Sequence, residues 1–319
     1  MTQEPATQQE RATQQEPSQH AAETDAALLP VSGLDATQPD GSVRGYRASR
    51  TLPVRVELAR QLKRRRTRFA LGFLALLPLL LLAAFEIGDA GSARRASGEL
   101  VDLATGSGLN FAMYALYSSA PFLLVVIVAL FFGDTVASEA SWRSLKYLLA
   151  APVPRARLLR QKALVAALLS LCGLVLLPAI ALAVGVFWYG PGDLVSPSGS
   201  VVPFPLGALD LVLAVAFLAV HLSWVAGLAL CLSVRTDAPL GAVGGAVVLS
   251  ILSQILDQIS ALGGLRAYLP THYATSWTGL LGEGPEWAGV VHGACSGVIY
   301  AAVFTALALW HFHHKDVTS

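Results

Sequence analysis

The chain has 319 residues, of which 54% are apolar and only 13% charged, and its mean hydropathy is +0.57. Soluble domains carry about 25% charged residues, so this composition excludes an ordinary soluble globular protein. A formal net charge of +1 offers nucleic acid no general attraction, and three scattered cysteines (Cys172, Cys231 and Cys295) without CxxC spacing exclude a disulfide framework or a structural zinc site.

Residues 1–45 are rich in Gln, Thr, Glu, Pro and Ser and repeat a short unit, Thr7-Gln8-Gln9-Glu10 and Thr13-Gln14-Gln15-Glu16. Such a segment buries too little apolar area to offset its ordering entropy and is expected to be a disordered tail. No apolar h-region precedes Phe69, so no signal peptide is expected. Residues 46–319 are expected to form one membrane domain.

Within Val54–Arg68, Val54, Leu58 and Leu62 recur every four residues and share one helix face, while most of the rest is basic. This pattern predicts an interfacial helix before the first span, apolar side down, with its arginines toward anionic head groups.

A bilayer core of about 30 Å needs roughly 20 helical residues. Six apolar blocks qualify: 69–87, 111–133, 163–188, 208–234, 240–259 and 288–310. No ten-residue alternating strands are visible, so helices are the way to satisfy the backbone in lipid. The predicted fold is an all-α integral membrane protein of six transmembrane helices. Near the span ends, ten Lys and Arg at 44–68 precede the first block, six lie between the second and third, and one each follows the fourth and sixth, giving 18 on one side. The other side has three, Arg94, Arg95 and Arg266. Both termini are therefore expected in the cytoplasm. Trp188, Tyr189, Trp277 and Trp287 are expected in an outer aromatic belt, and Glu86, Asp210 and Asp257 at outer helix ends. Pro78, Pro121 and Pro178 fall inside spans one to three and are expected to bend them.

Candidate chemistry is sparse. His221, mid-way along span four, has no second ligand one turn away and is expected to hydrogen-bond a neighbouring helix. Gly241 and Gly245, and the stretch Gly293-Ala-Cys-Ser-Gly297, are small-residue contacts of the kind found where membrane helices touch. The terminal His311, His313 and His314 are read as incidental. The sequence contains neither G-x-x-x-x-G-K-[ST] nor H-E-x-x-H, so the chain is expected to be no enzyme and to bind no metal or cofactor of its own.

The stretch 133–162 is more informative. Trp142, Leu145, Leu148 and Leu149 repeat at helical spacing and predict a short amphipathic helix between spans two and three, ended by Pro152 and Pro154. An apolar stripe outside the membrane calls for a cover. Glu139, then Ser144-Leu145, Leu148-Leu149, Pro152-Val153, Arg155, Leu158-Leu159 and Lys162 resemble the signature of type-2 ATP-binding-cassette (ABC) permeases. Arg143 and Ser144 stand where many members have Gly-Thr. The basic run before span one, Tyr268-Leu-Pro270-Thr-His272-Tyr273 and Lys315-Asp316-Val317 are similar too, and together the resemblance covers residues 46 to 319.

The resemblance implies the permease subunit of a cell-membrane ABC transporter, an exporter in most members. It implies a second permease subunit and a separate ATP-binding subunit that holds ATP and Mg. Glu139, Trp142, Ser144, Leu145, Leu148, Leu149, Pro152 and Arg155 would form the ATPase-coupling segment, with Glu139 reaching the partner's rim. The alternatives are a secondary transporter or a non-transporting multi-pass scaffold; a membrane enzyme lacks a catalytic set.

Overall fold

The computed structural model describes residues 53–89, 99–141, 155–196, 199–281 and 284–314. The predicted tail, 1–45, lies outside the described residues.

Helix α1 (Val54–Lys63) ends where Arg64 takes an extended conformation (ψ 133°), and the chain turns at once into α2 (Arg65–Asp89). A short α3 (Glu99–Ala104) leads to α4 (Gly108–Ser119), a π-helical turn (Ala120–Leu124) and α5 (Val125–Ser141). Helix α6 (Arg155–Tyr189) follows, then a two-stranded antiparallel hairpin of β1 (Leu194–Val195) and β2 (Val201–Val202). Helices α7 (Phe204–His221) and α8 (Ser223–Arg235) meet at a break on Leu222. After α9 (Pro239–Asp257) come two 3-10 segments, Ser260–Tyr268 and Ser276–Leu280, and then α10 (Trp287–His314).

Among the described residues, six helical units are long and apolar enough to cross a membrane: α2, α4 through α5, α6, α7 with α8, α9 and α10. They coincide with the six apolar blocks, and the protein is an all-α membrane protein. The second and third units each run 34 residues. At roughly 1.5 Å per residue that is about 50 Å, well beyond a hydrocarbon core of about 30 Å. The second and third spans therefore project past the apolar zone at one or both ends.

The second span is the hub. It packs on α6, α8 and α9, while α10 packs on α7 and α8, and α2 on α6. It is also the span most buried within the chain, whereas the first and sixth are mainly exposed to the surround. Its prolines and those of its neighbours act differently. Pro121 lies in the π-helical turn, whose displaced register frees carbonyls, and Gln254 of α9 donates to the Pro121 carbonyl at 2.9 Å. Pro78 and Pro178 lie inside helices that continue through them.

Close approach between helices depends on glycine at two places. A Cβ on Gly108 would stand 2.4 Å from the Val186 nitrogen, so α4 and α6 touch backbone to backbone there. A Cβ on Gly297 would stand 2.7 Å from the His221 carbonyl oxygen, so α10 lies directly against the break between α7 and α8. The break is tied further by His221, whose Nδ1 lies 3.1 Å from the Gly293 carbonyl, and by Ser223, which donates to the Gly297 carbonyl at 3.3 Å. His221 is thus the helix-to-helix hydrogen bonder its surroundings predicted.

The aromatic expectation needs correction at one residue. Trp188 and Trp287 are half exposed, as belt residues are, but Trp277 is 1% exposed. It packs in the core beside Tyr117, edge to face at 6.3 Å between ring centroids. A tryptophan near a span end fits a belt or a core equally by sequence, because both use the same large ring.

Candidate functional site

The far end of the second span carries a cluster of buried charge. Apolar packing of α1 against α6 and of α5 against α6 brings four elements together: α1, the first turn of α2, the last two turns of α5, and the first turns of α6. Four ionisable side chains on α1, α5 and α6 form one network. Glu139 on α5, Lys162 on α6 and Glu57 on α1 are 3%, 3% and 4% exposed. Lys162 Nζ closes on Glu139 Oε1 and lies 3.6 Å from Glu57 Oε1. Arg60 Nη2 reaches both carboxylates, at 2.6 Å to Glu139 Oε1 and 2.7 Å to Glu57 Oε1. Gln61 adds a bond to Glu57 at 3.1 Å.

One turn back along α5, Asp134 is likewise buried and is held by two arginines. Arg64 Nη1 sits 2.8 Å from Oδ2, and Arg66 Nη1 closes on Oδ1. Arg64 also reaches Ser138 Oγ at 3.4 Å. On the opposite flank of α5, Ser233 of α8 accepts from the Val136 and Ala137 amides at 3.1 and 3.0 Å. The end of α5 is therefore gripped from both sides, by charge through α1, α2 and α6 and by a hydroxyl through α8.

Electrostatics at the membrane-peripheral part of this cluster follow from the partners. Burial alone would push the Glu57 carboxyl up. The hydrogen bond from Arg60 and the charges of Lys162 and Arg60 outweigh it and hold Glu57 below the usual carboxylate value. Burial would pull Arg60 down, but its bonds to Glu57 and Glu139 raise it instead. Both groups stay charged at neutral pH.

Arginines predicted to face lipid head groups thus turn inward: Arg60, Arg64 and Arg66 all pair with carboxylates of the same chain. Buried carboxylates outcompete a hydrated head group, because an unpaired buried charge costs far more than a surface contact returns. Glu139 takes its place in the network through Arg60 and Lys162. Trp142, Ser144, Leu145, Leu148, Leu149 and Pro152 lie outside the described residues, and Arg155 opens α6. What the structure does fix is the base of that segment. Glu139 stands two residues before the end of α5 and Lys162 seven after the start of α6, and the pair joins them across 23 positions.

Glu57 and Asp134 escaped the sequence reading. Asp134 had a visible signal, a carboxylate within an apolar run and five residues before Glu139. Glu57 had none, since it sits in a basic helix where one acid looks like ordinary surface. Among the described residues no group of three or more His, Cys, Asp or Glu is placed to hold a metal.

Residues 55–253, more than half of the chain, match the model of a family described as ABC-2 family transporter protein. The match runs from α1 into α9 and includes the whole charged cluster. No curated protein matches the chain.

Proposed function

The chain belongs to the ABC-2 transporter family, and from that premise we propose that it is the transmembrane subunit of an ATP-driven exporter. A separate ATP-binding subunit, holding ATP and Mg, docks on residues 139–155 at the charged end of the bundle. A second permease subunit completes the transporter. The charged end and both termini face the cytoplasm of a cell membrane, as the distribution of 18 basic residues against three requires.

The observation that carries this reading is the clamp at the base of segment 142–154. A docking segment passes force only if its ends are fixed to what it moves. Here the Glu139–Lys162 pair closes its base, and α5 continues from it into the hub of the bundle. Closure of the ATPase would push on α5 and α6 together and bias the bundle between inward-open and outward-open states. Trp142, Leu145, Leu148 and Leu149 supply the apolar anchors, and Arg155 and Pro152 the rim. Each anchor truncation costs about 2 kcal/mol or more of a well-packed interface.

Co-purification tests it. With the ATP-binding subunit co-expressed, Leu145→Asp should leave membrane insertion intact and abolish the complex or its transport-linked ATP turnover. A cysteine introduced by Ser144→Cys should cross-link to the ATPase, with an efficiency that changes with nucleotide. An intact complex with Leu145→Asp, together with no cross-link in any nucleotide state, would place the leucines in lipid instead. Reporters fused at Ser198 and Ser319 should fall on opposite sides of the membrane.

A further inference from the structure

At the hairpin end, a cavity of about 470 Å³ opens between α3, α4, β1 and the 3-10 turn Ser276–Leu280. Its size lies in the range of about 300–1,000 Å³ typical of small-molecule sites. Its lining is aliphatic and aromatic, with the rings of Tyr114, Tyr117 and Trp277 on the α4 and 3-10 sides. No carboxylate, amine, guanidinium or imidazole lines it.

We propose that this cavity is a binding site for an uncharged, aromatic, drug-sized molecule with one or two hydrogen-bonding groups. Charge decides the first part. An ion moved from water into a cavity with no counter-charge loses its hydration and gains no partner, so charged ligands are rejected. The second part follows from the rings: offset or edge-to-face stacking on three aromatics favours a ligand with a π face. The third follows from which polar groups are committed. Asn110 donates to the Leu103 and Val195 carbonyls and accepts from the Val195 amide, so its side chain is spent on the wall itself. The Thr278 hydroxyl donates to the Thr275 carbonyl and keeps its acceptor capacity. The Tyr114 and Tyr117 hydroxyls make no hydrogen bond among the described residues. The Ser196 hydroxyl also lines the cavity and is paired with the Ser200 hydroxyl at 2.7 Å. The ligand is therefore met chiefly by phenol O–H groups and the Thr278 acceptor.

The floor reinforces the assignment. Tyr117 and Trp277 also border a second cavity of about 30 Å³, beside the π-helical turn and the α7–α8 break. The edge-to-face pair thus lines both cavities. That the ligand is cargo rests on the transporter reading above; that it binds does not.

The test uses the full chain in nanodiscs of neutral lipid, with empty nanodiscs subtracted and no ATPase present. The probe is N-phenyl-1-naphthylamine, and the comparison is 8-anilinonaphthalene-1-sulfonate, the same ring system with one negative charge. Tryptophan-sensitised emission of the neutral probe should saturate at one site, and the sulfonate should bind at least tenfold more weakly. Thr278→Trp should fill the cavity and remove the saturable signal. In a background whose three cysteines are alanine, Thr278→Cys should react with a hydrophilic maleimide, and the neutral probe should slow that reaction several-fold. Because Thr278→Cys is a small change, it reads the site even where Thr278→Trp does not fold. Equal binding of the sulfonate overturns the chemistry proposed. Non-saturable binding, or no protection of Thr278→Cys, shows a lipid-filled cleft and overturns the site. Loss of the ATPase complex in the co-purification experiment leaves every one of these outcomes readable.

Discussion

The second span is held in opposite ways at its two ends. At the end of α5, Asp134 and Glu139 are gripped by Arg60, Arg64, Arg66 and Lys162. At the start of α4, the side chains that make the joint among the described residues, Ser107 and Asn110, are uncharged. Ser107 caps the helix by accepting from the Asn110 amide, and Asn110 stitches α4 to Leu103 and to β1. Gly108 touches α6 backbone to backbone. The two ends differ in the chemistry of the joint. Ion pairs, which act over a longer range than hydrogen bonds, carry the end of α5. Uncharged hydrogen bonds and a close backbone approach carry the start of α4.

The largest expected effect breaks the charged joint. Lys162→Met leaves the buried Glu139 and Glu57 sharing the single positive charge of Arg60. Removing one partner of a buried pair costs about 3–5 kcal/mol. The thermal unfolding midpoint of the purified protein should fall steeply. The double variant Lys162→Met with Glu139→Gln should recover a large part, because the uncompensated charge has gone. A double variant no better than Lys162→Met would mean that the lysine stabilises by packing alone.

A smaller effect is expected at the uncharged joint. Asn110→Ala frees two carbonyls and one amide together, and each buried unsatisfied group costs about 1–3 kcal/mol. The hairpin is open to water on one side, with Val201 half exposed, so water offsets part of the loss. Amide hydrogen exchange should accelerate at 194–202 and stay unchanged along α5. Acceleration at both ends would deny that the two joints are independent.

How far the sequence could foresee this contrast depends on range. The spans were legible because 20 apolar residues in a row suffice, whatever their neighbours. Their true lengths were not: α6 begins at Arg155, well ahead of the predicted Ala163, because charged turns can be helical too. His221 was legible as a helix bonder, since nothing on its own helix could partner it. The joints themselves were not. Arg64 and Asp134 are 70 positions apart, and a count of basic residues that sets orientation cannot say which of them turn inward. Ser107 and Asn110 look like ordinary loop residues until α4 and the hairpin meet.

The smallest effect sharpens the comparison by making one joint titrate and the other not. Glu57 is held below its ordinary value of 4.5 by the hydrogen bond and charge of Arg60 and by the charge of Lys162, against the opposing push of burial. A carboxyl depressed in the folded state contributes stability at every pH above its unfolded value. That contribution fades as pH falls below about 4.5 and is gone once pH passes the folded value beneath it. Its size is limited because the Arg60 side chain is 45% exposed and well screened. Wild type should therefore be more stable than Glu57→Gln at pH 7, and the gap should close as pH falls from 4.5 through the lower folded value. High salt should narrow the gap at pH 7 by screening Arg60, while the Lys162 contribution, buried on all sides, persists. Asn110→Ala should show the same deficit at pH 7 and pH 4, since no group in its network changes charge over that interval. A deficit at the hairpin that moved with pH as the Glu57 gap does would mean that the two ends are not independent joints.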